Sequence, residues 1–235
     1  MTARSNLWAV LPVKSLPIAK QRLAPLLDPS ERRRLARTML EDVLGACSGA
    51  RSLARIVVVT ADDAVAAIAE RAGARVLKEA RERGTNAAIQ AGIGAATAFA
   101  SGVIVLPADV PHVTAASIDA AARLCARENT LVLVPASRDG GTNLLACTPP
   151  DLIETSFGAG SFVRHRERAR QAGIEPILPS LGRLDLDLDR PEDIDSFLAM
   201  PATTRTHRVL LDLDVPARLR PVLKLSHAPA ARLAV

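Results

Sequence analysis

Two groups of opposite charge carry most of the chemistry this chain offers. Lys14, Lys20 and Arg22 fall within nine residues of one another, in Leu11-Pro12-Val13-Lys14-Ser15-Leu16-Pro17-Ile18-Ala19-Lys20-Gln21-Arg22-Leu23. Clustered cations offset the charge of a polyphosphate, and an arginine can grip it through two parallel hydrogen bonds. The segment lacks the Gly-x4-Gly-Lys-Ser/Thr pattern of a Walker loop, and a solvated basic loop is the other reading of these side chains. Asp109 stands between Pro107 and Pro111, directly after the apolar run Val103–Leu106. A carboxylate held rigidly there suits a hard cation such as Mg²⁺, although a turn or helix-cap aspartate has the same local pattern. Asp185, Asp187 and Asp189 alternate with Leu184, Leu186 and Leu188. Strand geometry would put the three carboxylates on one face, where like charges need a cation or partner to offset them. Asp189 also precedes Pro191 in the position of a helix cap, and that is the role assigned to it.

A second set of residues is glycine-rich: Asp139-Gly140-Gly141-Thr142-Asn143 and Phe157-Gly158-Ala159-Gly160-Ser161-Phe162-Val163-Arg164-His165. Glycines let a backbone approach a ligand closely, and Ser161 is placed to cap a helix whose N-terminus attracts an anion. Arg164, Arg166, Arg168 and Arg170 divide between two helix sides, so the last three are read as surface residues. His165, alone on its helix, is read as structural or as a substrate-side hydrogen bonder rather than as a base.

Positioning these groups requires a fold that brings loop segments far apart in sequence to one edge. Short β-branched runs alternate with Ala-rich helical stretches through the first 200 residues. Strands are expected at Leu7–Val13, Arg55–Thr60, Ala74–Leu77, Gly102–Leu106, Thr130–Pro135 and Asn143–Cys147, with helices at Asp28–Cys47, Asp62–Ala72, Thr85–Ala100 and Thr114–Arg127. Beyond these, helices are expected at Asp151–Thr155, Ser161–Ala172 and Pro191–Met200, and short strands at Ile174–Leu178 and Leu184–Leu188. This rhythm predicts an α/β fold, a mostly parallel central sheet with helices on both faces. Ligands of such sheets bind beyond the carboxyl ends of the strands, where all the residues above fall.

Composition excludes other classes. The net charge is +5, but residues 201–235 carry +4 of it, leaving 24 basic and 23 acidic groups in residues 1–200. With aromatics at 2% and no tyrosine, a basic stripe with stacking rings is missing, which argues against nucleic acid. No apolar run approaches a membrane span, and Met1–Asn6 does not read as a secretory signal. Cys47, Cys125 and Cys147 match neither a disulfide framework nor a zinc pattern, so they are read as core residues of a cytoplasmic protein. The Pro-, Ala- and Arg-rich segment 201–235 is expected to be a poorly ordered tail with one strand at most, Val209–Val215. The sequence does not fix an oligomeric state, and a homodimer is compatible with it.

Taken in order, Pro12-Val13-Lys14, Ala19-Lys20-Gln21-Arg22-Leu23, Gly141-Thr142-Asn143, the Phe157–His165 stretch and Asp187-Leu188-Asp189-Arg190-Pro191 resemble the CofC/FbiD family of guanylyltransferases of coenzyme F-420 biosynthesis. The resemblance covers about residues 7–200. It implies a Rossmann-like nucleotidyltransferase fold of the nucleotide-diphospho-sugar transferase type over residues 1–200. It also implies Mg²⁺-dependent transfer of GMP from GTP to the phosphate of a three-carbon acid. That acid is 3-phospho-D-glycerate by preference, then phosphoenolpyruvate or 2-phospho-L-lactate. By position, Asp109 and Asp187 match the family's metal ligands, and Thr142, Gly158 and Ser161 its acid-binding residues. Lys14, Lys20 and Arg22 match the nucleotide-phosphate loop, with Lys14, Lys20, Arg22 and Asp109 carrying catalysis, and Asn86 matches a segment lining the nucleotide site. A related enzyme with a molybdopterin-type acceptor is the runner-up. Such enzymes usually carry Leu-Ala-Gly-Gly after the first strand, where this chain has Leu11-Pro12-Val13-Lys14.

Overall fold

In the computed structural model, which describes residues 6–200 and 203–226, a six-stranded sheet is flanked by helices on both faces. The strands are β1 (Leu7–Pro12), β2 (Leu53–Thr60), β3 (Arg75–Lys78), β4 (Gly102–Val105), β5 (Thr130–Pro135) and β6 (Thr142–Thr148). The helices are α1 (Pro29–Gly49), α2 (Asp63–Arg71), α3 (Thr85–Thr97), α4 (Ala115–Leu124), α5 (Ser161–Gln171), α6 (Pro191–Leu198), α7 (Arg205–Asp212) and α8 (Val215–Ser226). The spatial order is β3-β2-β1-β4-β6-β5. β1 to β4 run parallel, and β6 is antiparallel to both β4 and β5.

The sheet is apolar on both faces because helices cover both. Along β1, Leu7, Ala9 and Leu11 join the core beneath α1, α2, α4 and α6, while Trp8 and Val10 join the core beneath α3. β2 divides in the same way, Ile56 and Val58 to one side and Val57 and Val59 to the other. α3 lies close on β1: a Cβ on Gly92 would collide with Val10, so this helix tolerates only glycine there. The start of α1 is set by Asp28, which accepts from the Ser30 and Glu31 amides while Glu31 accepts from the Asp28 amide, a reciprocal cap followed by Pro29.

Strand order reverses between β1 and β4. A cleft opens at such a switch point, outside the carboxyl ends of the strands. The antiparallel β6 adds its first residues to the same edge, since Leu145 pairs with Val105 and Thr142 therefore lies beyond the end of β4.

Several expectations are corrected. Asp151–Thr155 is not helical, and Ile174–Leu178 contributes a single bridge, Ile177 to Val132. Leu184–Leu188 is not a strand: Leu184 and Asp185 lie in a turn, and the segment forms no ladder, the Leu188 amide donating to Asp109 O and Asp185 O accepting from the Ser137 amide. The strand expected at Val209–Val215 is replaced by α7 and the start of α8, and the described part of the tail is ordered. Asp42 of α1 accepts from the Arg205 and Thr206 amides, and Leu210, Val215 and Leu219 are buried in the core below α1. Residues 201–202 and 227–235 of the expected tail lie outside the described residues. Among the described residues no helix is long and apolar enough to cross a membrane. All three cysteines are buried, and burial pushes the Cys47 and Cys125 thiols up to about 12 and about 11, which leaves them unreactive.

Candidate active site

The loop after β1 folds into two short 3-10 turns, Leu16–Ile18 and Gln21–Leu23. Asp62, at the end of β2, holds the first turn: one carboxylate oxygen accepts from Ser15 Oγ (3.0 Å) and the Leu16 amide (2.9 Å), the other from the Ala64 amide as the cap of α2. Lys20 follows in a left-handed backbone conformation (φ +55°), uncommon for a side-chain-bearing residue. That conformation turns its ammonium into the cleft, where it donates to Asp109 (2.7 Å) and Asp189 (2.6 Å). Arg22 reaches Asp189 from the rim at 3.4 Å.

Asp109, Asp187 and Asp189 converge, each offering a carboxylate oxygen within 4.8 Å of the others. Asp187 is raised to about 6 by burial and by the neighbouring Asp109, with Asn143, which donates to it at 3.2 Å, acting in the other direction. Burial also opposes charge on Asp189, but Lys20 and Arg22 outweigh it and hold this carboxyl below the usual range. Burial would lower Lys20, yet Asp109 and Asp189 raise it, so it stays charged. The three carboxylates are the hard-oxygen donors a divalent cation takes, and the Lys20 ammonium competes with such a cation for Asp109 and Asp189. A cavity of about 420 Å³ opens beside it, lined by Lys14, Lys20, Arg22, Asp109, Asp189 and Phe157 among others.

Four of the expected residues, Lys14, Lys20, Arg22 and Asp109, thus share one cavity, and Asp187 adjoins it. Asp189 is a correction: it caps nothing and joins the acidic cluster. The capping falls to buried Asp193 inside α6, which accepts from the Asp189 and Arg190 amides and from Arg138 (2.6 Å). Asp185 is not in the cluster, because the segment is not the strand that would align it. Ser161 is the first residue of α5 rather than its cap, which is Gly160. Thr142 and Ser161 are buried and bonded to each other (3.0 Å), outside the lining of the cavity. Gly158 adopts φ +119°, a conformation that a side chain would strain. Asn86 does not present its amide to the cavity. It clamps the backbone of Phe157, accepting from its amide (2.6 Å) and donating to its carbonyl (3.1 Å). Asp62, Asn143 and Asp193 were missed as positioning residues. The signal for Asp193 was present in sequence, as an acid two residues after a proline that opens a helix.

These elements build a mixed α/β sheet with a cleft at its switch point, where cations and carboxylates meet. Solved structures share that fold. One from Desulfovibrio desulfuricans G20, described as a nucleotide-diphospho-sugar transferase, matches with TM-score 0.72 at 16% identity, covering 92% of this chain and 98% of its own. A cytidylyltransferase from Leptospira borgpetersenii matches with TM-score 0.55 at 15% identity, over 97% and 99%. The chain belongs to the CofC-like guanylyl transferase family, whose model matches residues 7–235. The match includes the C-terminal segment that the resemblance read from sequence had left out. The 3-phospho-D-glycerate guanylyltransferase of Phenylobacterium zucineum is 43% identical over 87% of this chain and 95% of its own length. The phosphoenolpyruvate guanylyltransferase of Sphaerobacter thermophilus is 38% identical over 80% and 90%. The 2-phospho-L-lactate guanylyltransferase of Methanothermobacter thermautotrophicus is 32% identical over 94% and 98%.

Proposed function

We propose that this enzyme transfers GMP from GTP to the phosphate of a three-carbon phospho-acid, 3-phospho-D-glycerate before phosphoenolpyruvate or 2-phospho-L-lactate. The observation that carries the reading is the meeting of Lys20 with Asp109 and Asp189 at the β1/β4 switch point, in a chain of the guanylyl transferase family. The order of acids follows the relative at 43% identity.

A phosphate oxygen of the acid forms a bond to the α-phosphorus of GTP, the bond from that phosphorus to the β-bridging oxygen breaks, and pyrophosphate leaves with the electron pair. The nucleophile is already an anion, so no general base is required. Lys14, Lys20 and Arg22 line the nucleotide side and neutralise the triphosphate, Lys20 and Arg22 remaining anchored to Asp189. Asp109 and Asp187 would hold Mg²⁺, which supplies charge neutralisation at the reacting phosphate when bound. Thr142, Gly158 and Ser161 take the acid on the β6 side of the same edge. Catalysis on this reading is placement and electrostatics.

The test is a matrix of nucleoside triphosphates against the three acids with Mg²⁺, read as pyrophosphate release and product mass. Release with GTP and an acid is expected; none with any of the three acids overturns the reading. Transfer only to a pterin phosphate would favour the molybdenum-cofactor type, against which the Leu11-Pro12-Val13-Lys14 loop argues.

A further inference from the structure

His165 connects two parts of the acid-binding side, and its tautomer decides what that side presents. The ring is buried in α5. Its Nε2 accepts the Ser156 amide hydrogen at 2.9 Å. A backbone amide can only donate, so Nε2 carries no hydrogen and Nδ1 carries one. Nδ1 lies 3.0 Å from Thr142 Oγ1 and donates to it. Ser161 Oγ, fully buried, donates to the same oxygen at 3.0 Å. With Nδ1 donating, the two hydroxyl hydrogens of Thr142 and Ser161 share the single contact between the two oxygens, so one hydrogen of the pair has no acceptor among the described residues. With the other tautomer, Nδ1 would take the Thr142 hydrogen, Thr142 would take that of Ser161, and none would be left over. Burial, with Arg168 and Arg164 nearby, lowers the ring to about 4, so it is neutral near pH 7 and the arrangement persists. Phe157 packs edge-on against the ring at 5.0 Å, and its backbone is clamped by Asn86, so the imidazole has a fixed seat.

We propose that His165 is a positioning residue for the acceptor acid: by donating from Nδ1 to Thr142, it frees one hydroxyl hydrogen of the Thr142–Ser161 pair to bind an anionic oxygen of the phospho-acid. This rests on the reading of Thr142 and Ser161 as acid-binding residues. The histidine makes no contact with the acid itself. It converts a closed pair of hydroxyls into a donor, and through Ser156 it ties that donor to the loop that carries Gly158.

The test is steady-state kinetics of two variants beside ¹⁵N NMR of the wild-type ring. His165→Gln can still accept from the Ser156 amide but has no donor at the Nδ1 position. His165→Asn has an amide near Nδ1 and loses only the Ser156 contact. His165→Gln is expected to raise KM for the acid about tenfold or more with KM for GTP unchanged, and His165→Asn to restore most of it. The NMR is expected to show the Nδ1–H tautomer, a readout that needs no variant to fold. An Nε2–H tautomer overturns the proposal; so does an unchanged KM for the acid in His165→Gln, or a parallel rise in both KM values. Wild-type enzyme that guanylylates none of the acids would instead bring down the functional reading, and that result is read first in the same assay.

Discussion

Replacing Lys20 with methionine is the sharpest probe of the acidic cluster. Met keeps the length of the stem and the left-handed backbone, so the ammonium alone is removed. That ammonium makes two ion pairs, at 2.7 and 2.6 Å, with the lysine side chain 8% exposed and its partners 28% and 37% exposed. Breaking a fully buried ion pair by deleting one partner costs about 3–5 kcal/mol. Here both carboxylates keep partial access to water, which reduces the expected loss to roughly 2–3 kcal/mol. For a chain of this length that is a fall in Tm of about 5–10 °C. The origin of the loss makes it conditional. Without Lys20, Asp109, Asp187 and Asp189 face one another with only Arg22 and Lys14 near, and either protonation or a divalent cation relieves them. Thermal unfolding should therefore show a large gap between wild type and Lys20→Met above the Asp187 value of about 6, and a smaller gap below it. Millimolar MgCl₂ should stabilise the variant more than the wild type, because the ammonium no longer competes for the same oxygens. A gap of the same size at both pH values, with and without Mg²⁺, would refute the reasoning, since it would mean that lost packing and not uncompensated charge sets the cost.

The remaining predictions address the chemistry, the buried histidine and the C-terminal helices. Asp109→Asn should lower guanylyl transfer by about a hundredfold or more with a smaller loss of Tm than Lys20→Met, since it breaks one of the two Lys20 ion pairs but also removes a like charge beside Asp187; near-normal turnover would remove Asp109 from catalysis. His165, held at about 4 when folded against 6.5 ordinarily, makes the unfolded chain the better proton binder between those values. Its contribution is complete above 6.5 and is lost as pH falls toward 4, about 3 kcal/mol in all. Urea unfolding across that window should therefore slope less steeply in His165→Gln than in wild type. Leu210→Ala should cost about 2–4 kcal/mol in the same assay, whereas an undocked tail would register almost nothing.

Much of the frame was legible because it is written in local terms. The run Ile56-Val57-Val58-Val59 can be satisfied only as a strand buried on both faces, and Asp28-Pro29-Ser30-Glu31 carries its own helix start. Alternation misled where a turn and the chain after it bury every second residue without a ladder. Leu184, Leu186 and Leu188 are buried as in a strand, but the Leu186 amide turns back to Arg183, the Leu188 amide goes to Asp109, and Asp185 accepts from Ser137. The same limit explains α7, whose Val209-Leu210-Leu211 reads as β-prone until Asp42, far away in sequence, captures its first amides.

The sequence by itself determined the alternating α/β architecture, the strand ends on which cations and carboxylates would fall, and the family resemblance that the match over residues 7–235 bears out. Periodicity, caps and motif order are properties of neighbouring residues, so they can be read without coordinates. Only the tertiary structure decided that Asp189 belongs to the acidic cluster and not to a cap. Only there does Asn86 grip a backbone, and only there does His165 reach a threonine on another element. Those assignments depend on which hydrogen-bond partner a side chain reaches once the sheet has closed, 71 residues away for Asn86 and 169 between Lys20 and Asp189, and no local pattern encodes that choice.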